Sequence, residues 1–374
     1  MTKRQVAGDA AGEAGLADPT DGRSNCGVGV VMNLDGGKQN RVVQDGLELV
    51  ACMEHRGTTG AEPNTGDGAG IMLQIPHEFF ADEVEADLPE PGSYAVGSVF
   101  LPQDDDAKTT LKELVAEEFA AEGLEVIAWR SVPTDNSSLG QTALDSEPDV
   151  QQVFVRSTED KTGTAFDRQL YIGRRVVENR IAEEEPAGSG RFYIVSLDKD
   201  TVVYKGLLLA EQVPEYYPEL QDDRMVSTFA MVHARFSTNT LGAWHLAHPY
   251  RNVIHNGEFN TIQGNINWMR ARETDIAHEA FGEDIEKIKP IIDDPEQSDT
   301  ASVDNALELL MQGGRDLPHA LRTLIPEAWR NDANQIDGDR QDFYDYHASL
   351  VEPWDGPALV AATDGDRVGA VLDR

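Results

Sequence analysis

The chain has 374 residues, 40% of them hydrophobic, which suits one large domain or two of ordinary size with a sizeable core. Its 67 acidic and 31 basic residues leave a formal net charge of −36, which argues against nucleic acid as a partner, since that ligand rewards a basic face. No window approaches the ~18 apolar residues of a membrane span, and the first 25 residues hold no secretory apolar stretch, so the expectation is a cytoplasmic protein with no membrane contact.

Residues 1–25 contain few apolar side chains and many Gly, Ala and Asp. They read as a disordered leader that cannot offset its own ordering entropy, with the folded domain at 26–374. "CGVGVVMNLDG" predicts a short buried strand closed by an Asp-Gly turn. "QDGLELVACMEHRG" predicts a helix with Leu47, Val50, Ala51 and Glu54 along one face, Cys52 near the inner side and Gly57 as the stop. "AGIMLQIP" and "SYAVGSVFLP" read as strands. "AKTTLKELVAEEFAAEGLEVIAW" places Leu111, Leu114, Val115 and Phe119 on one helical stripe, ends the helix at Gly123 and continues as a strand.

Further on, "QVFVR", "QLYIGRRVVENRI", "RFYIVSLD" and "TVVYKGLLL" read as strand, helix, strand and strand, the last two as a hairpin across "DKD". "FAMVHARFS" and "RNVIHNGEF" are two more strands. "TASVDNALELLMQGG" is a helix with Ala301, Asn305, Leu309 and Leu310 near its inner face, "LPHALRTLI" another, and "PALVAATDGDRVGAVLD" a terminal hairpin. Strands come in runs rather than in βαβ alternation. That pattern indicates an α+β fold with antiparallel sheets covered by helices.

The acidic excess is spread along the chain, in "DEVEADLPEP", "LPQDDDAK", "AEEEP" and "IDDPEQSD". It reads as a solvated surface suited to high salt, where screening removes self-repulsion. Two cysteines, Cys26 and Cys52, make neither a disulfide framework nor, without a CxxC pair, a thiolate zinc or iron–sulfur site within this chain.

Cys26 has two readings. One is a packed core thiol in a strand. The other is a nucleophile: Gly27 and Gly29 suit close approach of a ligand or chain segment, and removal of residues 1–25 would give Cys26 a free α-amino group. That amine, of pKa ~8, can take the thiol proton, so one residue serves as nucleophile and base. "VHARFSTNTLGAWHLAHPYRNVIHNGEFNT" holds His233, His245, His248 and His255, but no cysteine or carboxylate at a metal-ligand spacing, so no metal is expected. A packed hairpin with polar turns is the plain alternative there. "HNG" is either a turn or, through the Asn256 amide and the Gly257 N–H, an oxyanion hole. "HRGTTGAEPNTGDGAGI" lacks the ending of a phosphate loop. Ser298 and Asp299 precede a helix and read first as an N-cap.

Taken together, "CGVGVV", "HRGTTGAEPNTGDGAGIMLQIPHEFF", "HARFSTNT", "HPYRNVIHNGEFNTIQGNINWMRARE", "SDTASVDN", "LIPEAW" and "YHASLVEPWDGPALVAATDG" occur in family order from residue 26 onward. The chain resembles the N-terminal glutaminase domain of the glutamate synthase large subunit, a class II (N-terminal nucleophile) glutamine amidotransferase. The resemblance implies a four-layer αββα sandwich. It implies Cys26 as nucleophile exposed by loss of the leader, Asn256 and Gly257 as oxyanion donors, Arg235 on the α-carboxylate of L-glutamine and Asp299 on its α-ammonium. Arg56 and Asp67 would shape the pocket. The family continues past "VGAVLDR" into a portion with FMN, an iron–sulfur cluster and an electron donor, which passes ammonia to 2-oxoglutarate. The expectation is therefore a fragment, or a stand-alone subunit delivering ammonia to such a partner, with no cofactor of its own. The rivals are another class II amidotransferase and a silent assembly module that keeps its leader.

Overall fold

The computed structural model describes residues 27–54, 62–235, 242–292, 297–330 and 336–372. Cys26, Arg56 and the proposed leader lie outside these, as does the helix stop at Gly57.

In chain order the described elements begin with β1 (Gly27–Met32), α1 (Asn40–Cys52), β2 (Ala69–Gln74), α2 (His77–Glu83), β3 (Ala95–Leu101), α3 (Asp105–Ala121) and β4 (Leu124–Ser131). They continue with α4 (Gln141–Asp145), β5 (Asp149–Ser157), α5 (Gly163–Glu184), β6 (Tyr193–Asp198), β7 (Thr201–Gly206), α6 (Val213–Tyr216) and β8 (Phe229–Ala234). The last are β9 (Val253–Gly257), α7 (Ile262–Glu273), α8 (Asp299–Gln312), α9 (Leu317–Leu324), α10 (Gly338–His347), β10 (Ala358–Thr363) and β11 (Val368–Leu372). The strands form three sheets, ordered β1-β8-β2-β7, β4-β5-β3-β6 and β11-β10-β9, and every pairing is antiparallel.

Helix α1 buries Val42, Val43, Gly46, Leu47 and Val50 against the outer face of the first sheet, where each large side chain contributes on the order of 2 kcal/mol. The inner face of that sheet shares a core with β3 and β5, through Met72, Val203, Val96, Phe100 and Phe154 among others. Helices α3 and α5 cover the far side of β3 and β5, and α7, α8 and α9 cover β9 and β10. The layers therefore run helix, sheet, sheet, helix. This is the α+β sandwich expected from the runs of strands.

The helix stripe of Leu111, Leu114, Val115 and Phe119 is buried as the spacing requires. Other expectations need correction. Cys52 is exposed, because it follows Val50 by two residues and so points about 200° away from the buried face. β6 and β7 do not pair with each other: β6 joins β3, and β7 joins β2 in another sheet. The Asp198 carboxylate accepts from the amides of Asp200 at 2.6 Å and Thr201 at 2.9 Å, forming a tight turn that hands the chain from one layer to the next. β8 and β9 likewise occupy different sheets, so the stretch between them is no hairpin. The Asp200 carbonyl accepts from Ile75 N at 2.8 Å, and Gln74 Nε2 donates to Gly365 O in the β10–β11 turn at 2.9 Å. All three sheets are thus tied at this end.

Candidate functional site

The opposite end of the sandwich gathers Arg235, Asn256, Gly257 and Asp299. Gly27 and Ala69 both stand opposite Ala234 in the β1-β8-β2 ladder. The residue before Gly27 is Cys26 and the residue after Ala234 is Arg235. The two glycines after Cys26 serve a neighbouring helix: a Cβ at Gly27 would meet Met53 Sδ at 2.6 Å, and one at Gly29 would meet Leu49 Cδ2 at 2.4 Å. Their close approach is to another chain segment.

Arg235 is buried, its amide donating to Gly68 O at 2.8 Å and its Nη1 to Asp67 O at 3.3 Å. The backbone of Asp67, which the resemblance expects to shape the pocket, is thus part of the Arg235 support. In the facing sheet, β9 ends in Asn256 and Gly257, paired with Leu359 and Ala358 of β10. Gly257 has φ +134°, and a Cβ there would lie 2.1 Å from Pro357 O. Only glycine fits, for conformation and for space together.

Helix α8 secures this strand along its length. Ser298 is its N-cap, accepting from Ala301 N at 3.2 Å, so Asp299 is the first helical residue and its carboxylate is left for other partners. Asp299 Oδ2 accepts from Phe259 N at 3.1 Å and Oδ1 from Thr300 N at 2.7 Å. Thr300 Oγ1 donates to Asp299 Oδ1 at 3.3 Å and lies 2.9 Å from His255 Nδ1. With the hydroxyl proton directed at the carboxylate, the imidazole donates through Nδ1, and the ring stacks on Phe259. Further along, Asp304 accepts from the amides of Asn252 and Val253. Nearly the whole of α8 is buried, Thr300 through Leu309, more than its expected inner stripe of Ala301, Asn305, Leu309 and Leu310, because β9 and three helices surround it.

The histidines fall into two roles. His245 lies beside Tyr193 at the lip of a separate aromatic cavity. His233, His248 and His255 are buried, and desolvation lowers the pKa of all three, so each imidazole is neutral at pH 7. His233 and His248 stack at 4.0 Å, and the Tyr250 ring packs edge-on against His248 while its hydroxyl meets Ser298 Oγ at 2.7 Å. Tyr250 feels the charges of both Arg235 and Asp299. A fixed cation, a fixed carboxylate and a strand end offering an amide side chain and a glycine N–H thus frame one end of the sandwich.

His233, Thr300 and Asp304 carry much of this construction; the sequence weighed His233 only as a metal ligand and passed over Thr300 and Asp304. The one signal was chemical: an aspartate inside the apolar run "TASVDNALELL" demands buried partners.

The family model of class-II glutamine amidotransferases matches residues 26–374. The chain belongs to the class-II glutamine amidotransferases. Within this amidotransferase family the match begins at Cys26 itself. The chain is 43% identical over 362 residues to the glutamate synthase [NADPH] large chain of Bacillus subtilis (strain 168), covering 96% of this chain and 23% of that one. It is 42% identical over 367 residues to ferredoxin-dependent glutamate synthase 2, chloroplastic, of Arabidopsis thaliana, covering 96% and 22%. It is 42% identical over 374 residues to glutamate synthase [NADH] of Saccharomyces cerevisiae, covering 96% and 17%. The amidotransferase thus spans about a fifth of the length of these relatives. Among its described residues no helix is long and apolar enough to cross a membrane.

Proposed function

We propose that this chain is the glutaminase region of a glutamate synthase. It hydrolyses L-glutamine to glutamate and ammonia, and the ammonia passes to 2-oxoglutarate in a synthase portion outside this chain. One observation carries the reading. The hydrogen bond from His233 to the His255 carbonyl, two residues before Arg235 and one before Asn256, sets the Arg235 end of β8 beside the Asn256–Gly257 end of β9, where Asp299 holds the Phe259 amide. A free amino acid is held at both its charged ends by such a pair, Arg235 on the carboxylate and Asp299 on the ammonium.

In this reading, loss of residues 1–25 gives Cys26 its α-amine, which takes the thiol proton. The sulfur attacks the side-chain carbonyl carbon, and the oxyanion is held by the Asn256 amide and the Gly257 N–H. The proton goes to the leaving nitrogen, ammonia departs and a γ-glutamyl thioester remains. Water then adds to it, releasing glutamate and restoring the thiol. The neutral buried imidazoles behind the strands leave the acid–base work to the α-amine.

FMN and the iron–sulfur cluster belong to the synthase portion. Cys26 and Cys52 are the whole thiol complement here and cannot supply a cluster's four thiolates. The named relatives differ in NADPH, NADH or ferredoxin, so the electron donor is a property of that other portion. The even acidic excess fits a cytoplasm of high ionic strength.

Mass spectrometry of the purified protein, paired with a glutamine-to-glutamate assay and labelling by a glutamine-analogue diazoketone, tests the proposal. A mature N-terminus at Cys26, turnover and a label on Cys26 are expected. An intact Met1 without turnover would show a silent module instead.

A further inference from the structure

The two halves of the site lie in different sheets, so no ladder hydrogen bond sets the gap between them. The His233 side chain spans it. His233, on β8, stands opposite Val28 of β1 and two residues before Arg235. His255, on β9, immediately precedes Asn256. His233 Nε2 lies 2.8 Å from the backbone oxygen of His255. A carbonyl only accepts, so Nε2 carries the hydrogen and Nδ1, which has no hydrogen-bond partner among the described residues, is the bare nitrogen. The ring is fully buried, and its orientation is fixed by the flat stack on His248, at 19° between planes. On the other side, His255 is held by Thr300 through its own ring.

We infer that His233 is a positioning residue for glutamine hydrolysis: its Nε2–H···O=C bond to His255 sets the distance from β8, the strand paired with β1 next to the proposed nucleophile, to the oxyanion-binding strand β9. The inference rests on the roles proposed above for Cys26 and Asn256. His233 moves no proton in the reaction. Its effect is geometric, and it is felt most where complementarity is tightest, at the tetrahedral oxyanion. Substrate capture by Arg235 and Asp299, through long-range charge as well as hydrogen bonds, tolerates a small shift better.

The test compares the full chain with His233→Phe, which keeps a buried ring and removes the donor, and His233→Gln, whose amide N–H reaches the same point. His233→Phe is expected to lower kcat about 10- to 100-fold, the scale of a misplacement near 1 Å, with a much smaller change in KM. Alkylation of Cys26 by iodoacetamide needs no oxyanion donor and should keep its rate. His233→Gln should recover most of the lost kcat. Wild-type turnover in His233→Phe, a Gln variant no better than Phe, or alkylation falling in step with kcat would each overturn the inference. Should His233→Phe fail to fold, His233→Asn, whose amide stops short of the carbonyl, takes its place against Gln. A wild-type chain that neither hydrolyses glutamine nor alkylates at Cys26 overturns the functional reading itself, and this inference with it.

Discussion

Asp304, wholly buried in the middle of α8, accepts hydrogen bonds from the amides of Asn252 at 2.8 Å and Val253 at 3.1 Å, and so fixes where β9 begins. Its Oδ2 also lies 3.1 Å from Arg251 Nη2, and Arg251 continues to Glu308 at 3.0 Å, which in turn meets Arg174 at 2.7 Å. Removing Asp304 leaves the amides of Arg251, Asn252 and Val253 buried without their acceptor and takes one carboxylate from Arg251. Asp304→Ala is therefore expected to cost about 3–5 kcal/mol in urea denaturation. An unchanged midpoint and slope would show that the network contributes little.

The strand end it supports makes two separable predictions. Asn256→Ala should lower kcat for glutamine hydrolysis by about 10²–10³, as loss of one oxyanion donor does elsewhere, with a stable fold. Near-normal turnover would remove Asn256 from the site. Gly257→Ala should act through the backbone instead: at φ +134° the conformation alone costs about 1–3 kcal/mol, and the new Cβ meets Pro357 O at 2.1 Å. Its signature is a lowered Tm together with lost activity.

Acid should weaken the fold through the buried imidazoles. Burial pushes His233 down to about 3 from an ordinary value of 6.5, so the unfolded chain binds the proton first. Its neutral form favours the folded state fully above pH 6.5, and that contribution is lost as pH falls from 6.5 toward 3. At pH 5 the loss is about 2 kcal/mol from this residue alone. Asp198 and Asp167, pushed up by burial to about 7 and about 6, act in the opposite sense and stabilise as pH falls through the same range. The clean measurement is the stability difference between wild type and His233→Gln. It should shrink by about 2 kcal/mol between pH 7.5 and pH 5, and a constant difference would refute a neutral buried His233.

The charge of −36 predicts a salt response. Acidic pairs spread over the surface repel, and the repulsion is screened as the Debye length falls from about 10 Å at 0.1 M to about 3 Å at 1 M salt. The Tm should rise steadily with KCl concentration across that range. A flat or falling curve would rule out adaptation to high salt.

Periodicity made the local elements legible. The stripe from Leu111 to Phe119 and the helix cap at Ser298 depend only on residues near in sequence. Helices α7 and α10 escaped notice because each buries few residues and keeps a polar, exposed surface, including Trp268 and Tyr346. The "DKD" turn was visible as a turn, yet its sequence serves equally for a hairpin and for a step between layers; the choice is made by strands far away in the chain. For the candidate site, Asn256, Gly257, Arg235 and Asp299 were named through the family resemblance. His233 and Asp304 were not, because their partners are backbone atoms of distant segments, and a backbone atom leaves no mark in the sequence.

The tie at Asp198–Thr201 has a mechanical consequence. With Asp200 bound to Ile75, and Gly365 bound to Gln74, the far end of the sandwich is a pivot, and the strands leading from it are levers of six residues, roughly 20 Å long. Tilting one lever by about 3° moves its tip by about 1 Å, a displacement worth on the order of 10² in rate. The jaws of this clamp hold the residues proposed for the chemistry, and their calibration begins at an aspartate turn on the opposite side of the molecule.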